Sequence, residues 1–111
     1  MVKFLQMNMI DWLTVNFMQP AARIGIDTVF GGILVNGSPT VLVNSLPVAV
    51  LGSFVGPHSP CGNDGQERHC SSNIITASST VFAGGIPIAR MGDFSSCGHF
   101  IVTGSQNVFI G

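Results

Sequence analysis

A chain of 111 residues, with 46% hydrophobic and only 8% charged side chains, is one domain at most and lies near the lower limit for a single self-sufficient core. Its formal net charge of -1 excludes a basic nucleic-acid surface, and apolar runs broken every few residues by Asn, Gly, Pro or Ser exclude a spanning helix of roughly 20 apolar residues. An average soluble domain is about 25% charged, so a surface this poor in charge points to contact with another protein.

Residues 1–18 carry apolar side chains at Phe4, Met7, Ile10, Trp12 and Leu13, roughly at helical spacing. Asn8, Asp11 and the lack of a small-residue cleavage site argue against a signal peptide. The segment reads as an N-terminal arm or short helix, and Met18 is itself a plausible start.

From residue 19 to 111 the chain repeats itself three times. Pro20-Ala21-Ala22-Arg23-Ile24-Gly25 matches Pro87-Ile88-Ala89-Arg90-Met91-Gly92 at an offset of 67, and the same offset carries Phe30 onto Cys97, Ser38 onto Ser105 and Val41 onto Val108 without a gap. Pro47-Val48-Ala49-Val50-Leu51-Gly52 is the middle copy, 27 residues after the first and 40 before the third. The stretches Gly37–Leu42, Ala77–Phe82 and Gly104–Phe109 repeat in step. The two spacings differ by 13 because the middle copy carries an insertion, roughly Phe54 to Asn73.

Each copy pairs a short β run such as Ile33-Leu34-Val35 with a Gly-Ser turn, a second run such as Thr40–Val43, and a turn containing Pro. Such runs are too short for helices and end at turn formers. Three strand–turn–strand units, none able to bury its face alone, predict an all-β fold stacked around a pseudo-threefold axis.

All the His and Cys residues lie in the second half: His58, Cys61, His69 and Cys70 in the insertion, Cys97 and His99 at the matching turn of the third copy. Thiolate sulfur and imidazole nitrogen in this mixture suit a closed structural zinc site, which a small scaffold needs where its core thins. Cys97-Gly98-His99 puts two ligand types on one face if the segment is extended. A Cys61–Cys70 disulfide is compatible with such a site, and either cysteine is also open as a ligand. A catalytic Cys–His pair lacks an orienting acid, since Asp64, Glu67 and Asp93 form no pattern around it, and H-E-x-x-H is absent. The residues therefore do not point to an enzyme.

The motifs together resemble the proline-alanine-alanine-arginine (PAAR) repeat family. Pro20-Ala21-Ala22-Arg23 corresponds to its namesake, and Gly37-Ser38-Pro39-Thr40-Val41-Leu42-Val43-Asn44 and Met91-Gly92-Asp93 with Cys97-Gly98 to its other signature segments. The resemblance covers about Gln19 to Gly111. It implies a small cone with a metal ion near the apex, usually zinc, with iron as the alternative. The cone's base would sit, one chain per trimer, on the trimeric β-helical spike of a type VI secretion system or contractile phage tail. Such a tip is made in the cytoplasm, assembled on the spike and driven into or through the target cell envelope. A chain this short looks like a tip without a toxin domain. The alternative is an adaptor that docks an effector through the arm bearing Phe4, Trp12 and Phe17.

One departure matters. Where the family often places a metal-binding His before two glycines, this chain has Phe30 before Gly31 and Gly32. The family's common set is three His and one Cys, so the implied ligands here are His58, His69, Cys97 and His99, with His99 substituting for the missing one.

Overall fold

The computed structural model describes Val2–Lys3 and residues 18–111. Apart from Val2–Lys3 and Met18, the expected arm or helix lies outside the described residues. The fold is all-β: eleven two-residue strands, every pairing antiparallel, and a single 3-10 turn at Glu67–His69 among the described residues. No helix of the described residues is long and apolar enough to cross a membrane.

The repeat becomes a ring. The backbone N–H of Ala22 donates to the Ala89 carbonyl at 3.1 Å, Ala49 to Ala22 at 2.9 Å, and Ala89 to Ala49 at 2.9 Å. All of these alanines are fully buried. The neighbouring residues repeat the cycle: Ile24 N–H donates to Pro47, Leu51 to Pro87, and Met91 to Pro20. The Pro-x-Ala motif is thus explained physically, because three copies of one residue meet around an axis and only a methyl side chain fits three times.

On one side of the ring lie three antiparallel strand pairs, two of them hairpins. The first joins β5 (Leu42–Val43) to β6 (Leu46–Pro47), and the second joins β9 (Phe82–Ala83) to β10 (Ile86–Pro87). In the third, β11 (Phe109–Ile110) pairs with β2 (Gln19–Pro20), so the two ends of the repeat region close the ring. β1 (Val2–Lys3) adds to the other edge of β11. These pairs enclose a core of threefold sets: Ala21, Val48 and Ile88; Val43, Ala83 and Ile110; Val81 and Val108 with partly buried Val41. The recurrent serines hold its turns. Ser38, Ser78 and Ser105 are buried, and each accepts the backbone N–H groups of the residues two and three positions on.

On the other side are β3 (Thr28–Val29) with β4 (Gly32–Ile33), β7 (Phe54–Val55) with β8 (Ser72–Asn73), and a tip in the third repeat where Phe94 bridges Phe100. They enclose Val29, Val55, Leu34, Ile74, Ile101 and Cys97 beneath the alanine ring.

Two sequence expectations need correction. The insertion runs over residues 56–71, because Phe54–Val55 and Ser72–Asn73 are the hairpin that frames it. The first and third copies are also not gapless. The acid that binds the repeat's arginine is four residues on in one (Arg23 to Asp27) and three in the other (Arg90 to Asp93). The third-repeat tip is one residue longer in compensation, since Thr28 pairs Ile33 while Phe94 pairs Phe100.

Candidate metal centre

Loop 56–71 brings its histidines together through its own backbone. The N–H of His58 donates to the carbonyl of His69 at 3.0 Å, and the 3-10 turn Glu67–His69 buries the His69 ring. A Cys61–Cys70 disulfide, with Cα atoms 4.9 Å apart, links the two arms of the loop. Cys61 and Cys70 are therefore bonded to each other, and Cys97 is the free, buried thiol. Opposite lies the third-repeat tip. Cys97 sits in the turn expected at this point of the third copy, which Gly98 makes possible at φ 93, so Cys97 and His99 converge through a turn and not by sharing one face of an extended segment.

The result is a cluster of His58, His69, Cys97 and His99 whose ligand atoms all lie within 4.8 Å of one another. His69 Nδ1 is 3.3 Å from His58 Nε2, and Cys97 Sγ is 3.5 Å from the same atom. A tetrahedral zinc with nitrogen at about 2.0–2.1 Å and sulfur at about 2.3 Å separates its ligand atoms by about 3.3–3.6 Å; the two distances from His58 Nε2 match that spacing, and the 4.8 Å bound on the whole cluster would tighten around such an ion. His58 Nδ1 faces the Gly56 carbonyl at 3.0 Å; donating its proton there leaves Nε2 free toward the cluster. His99 Nδ1 is buried with no hydrogen-bond partner, an orphan that a bare protein core rarely leaves.

Burial lowers the pKa of His69, helped by the neighbouring His99, Arg68 and His58. Burial also lowers that of His99, with His58 and Arg68 adding to it. Burial pushes the Cys97 thiol up, but hydrogen bonds led by that from Ser95, with Oγ 2.7 Å from Sγ, outweigh it and bring its pKa below the ordinary value. Neutral imidazoles beside a readily ionised thiol are the protonation states that a cation needs.

Some supporting residues carry no signal in the spacing. Gly32 makes room for His58, since a Cβ there would stand 2.5 Å from His58 Nδ1 and 2.6 Å from the Gly56 oxygen. Arg68 Nε donates to the Cys97 carbonyl at 3.3 Å, tying the loop to the tip. The Gly31-Gly32 pair was visible in the sequence; its reason was not.

With this geometry established, the family comparison is decisive: the PAAR motif model matches residues 24–98 and 64–111. The chain belongs to the PAAR motif family. PAAR proteins are structural spike-tip proteins of secretion and phage-tail machines, and they sit on spike proteins. No curated protein matches this chain. The PAAR assignment accounts for Arg23 and Arg90, whose guanidinium groups clamp buried Asp27 and Asp93 at 2.9 and 3.1 Å. Thr103 and Thr76 hydroxyls donate to the same carboxylates at 2.8 Å, so each Arg–Asp pair also fastens adjacent repeats. The middle repeat has Val50 and Ser53 in their place, with Ser53 Oγ accepting the Val50 N–H at 2.9 Å.

Proposed function

We propose that this PAAR protein is the metal-stapled tip that caps and sharpens the trimeric β-helical spike of a contractile injection machine, for puncture of a target membrane. The observation that carries the reading is the convergence of His58, His69, Cys97 and His99 from two separate repeats on one side of the alanine ring. A zinc ion, or iron in its place, held by these residues would supply no turnover. It would tie the loop to the third repeat so that the narrow end does not fray under load.

The strand pairs on the other side suit a trimeric partner. Leu42, Phe82 and Ile86 are about half exposed at 59%, 53% and 45%, and β5 and β9 each pair with one strand only. A pseudo-threefold base lets one chain close three identical strand ends. The test combines elemental analysis with native mass spectrometry of the protein bound to its spike. One zinc or iron per chain and one chain per spike trimer are expected, with His58→Ala and His69→Ala losing the metal. Stoichiometric metal and unchanged melting in both variants would sink the centre, and three chains per trimer would sink the capping geometry.

A further inference from the structure

Phe30 occupies a turn position that does not suit it. With Gly31 it forms the two-residue connection between β3 and β4, at φ 47 and 93. Turns of this kind need positive φ at both central residues and favour Asn and Gly. The other two-residue turns conform better, with Asn44–Ser45 and Gly84–Gly85. A bulky aromatic at positive φ is an outlier, and such strain persists only where the surroundings over-determine it.

What surrounds Phe30 is His99, with ring centroids 4.5 Å apart and planes inclined at 44°. Phe30 also meets Phe100 edge-on at 5.1 Å, and Phe100 meets Phe94 at 5.9 Å, so a chain of rings backs the contact. His58 is oriented by the Gly56 carbonyl, whereas no described residue hydrogen-bonds to either ring nitrogen of His99, whichever of the two faces the other donors. A metal-bound histidine is normally aimed by a hydrogen bond from its second ring nitrogen. For His99, ring packing takes that place.

Resting on the reading of the four side chains as a metal centre, we propose that Phe30 is the positioning residue of that centre. Its ring, held in a strained turn, sets the plane of His99 toward the other donors and shields them from water. The first repeat thus contributes a wall to the centre.

The test uses the full chain loaded with cobalt(II), whose visible spectrum reports ligand geometry, and follows transfer of the ion to a chromophoric chelator. Phe30→Asn relieves the turn, so its metal-free form should melt several degrees higher. It should nevertheless release cobalt about tenfold faster, with a shifted visible band. Phe30→Tyr keeps the ring and should release at the wild-type rate. Wild-type protein that holds cobalt, beside a Phe30→Asn variant of equal release rate and spectrum, overturns the inference and leaves the centre standing. Faster release from a variant whose metal-free form melts lower is damage to the fold, and it also overturns the inference. Wild-type protein that binds no cobalt overturns the centre and the inference with it.

Discussion

At the residue scale, the candidate centre depends on side chains that are absent as much as on those present. Gly32 leaves the space that the His58 ring fills, 2.5 Å from where a Cβ would be. Gly32→Ala should therefore weaken zinc binding by at least tenfold in a chelator competition while the ring of repeats stays folded; wild-type affinity would mean that His58 is not held there. The histidines also fix a pH dependence. His69 and His99 have folded pKa values below 6.5, first because they are buried, so the unfolded chain binds more protons. Their contribution to stability is complete above pH 6.5 and is lost as pH falls through that value toward the lowered folded pKa values. Melting temperatures of the metal-free protein should fall on acidification from pH 7.5 to 5 by about several degrees, and metal should steepen the fall because each ligand must shed its proton. A melting temperature that rises toward pH 5 would contradict both shifts.

At the element scale, loop 56–71 is the segment of the described repeat region, residues 19–111, without a threefold counterpart, and its disulfide spans a sequence separation of 9. Closing so short a loop is worth about 2–3 kcal/mol through the unfolded chain. The double variant Cys61→Ser, Cys70→Ser should lose about that much in urea unfolding of the metal-free protein, and it should release bound metal faster, because His58 and His69 flank the tether. An unchanged urea midpoint would show that the main-chain pairing of His58 with His69 holds the loop unaided. Much of this element was legible beforehand. The His and Cys content marked the insertion as a source of candidate ligands, but the choice between disulfide and ligand for Cys61 and Cys70 was not readable. That choice depends on which sulfur atoms the 3-10 turn at Glu67–His69 brings into register. How Cys97 and His99 meet at the turn of the third repeat was open for a similar reason, since a glycine between two ligands is compatible with an extended segment or a tight turn until its φ is known.

On the scale of the whole molecule, the strands are too short to be stable as hairpins, and the ring is what makes them a fold. Each repeat passes hydrogen bonds to the next, and β11 returns to β2 so that no repeat is left terminal. The alanine centre is the point where the three repeats share one volume. Ala49→Leu should cost about 1–3 kcal/mol by overpacking, read as a lower midpoint in thermal unfolding, and more than Val35→Leu at a half-exposed site. Equal effects at the two positions would mean that the axis is not tightly packed.

The amino-acid sequence by itself determined the repeat, the all-β character, the residue types of the centre and the family, because periodic turn formers and β-branched runs are local chemistry that survives reading in one dimension. Only the tertiary structure decided how these parts meet. The closure of the ring by its two ends, the cavity at Gly32, the Cys61–Cys70 bond and the strained seat of Phe30 all join residues that are distant in the chain or separated by a loop. Such contacts depend on where a threefold axis places each backbone, and residue order does not state that.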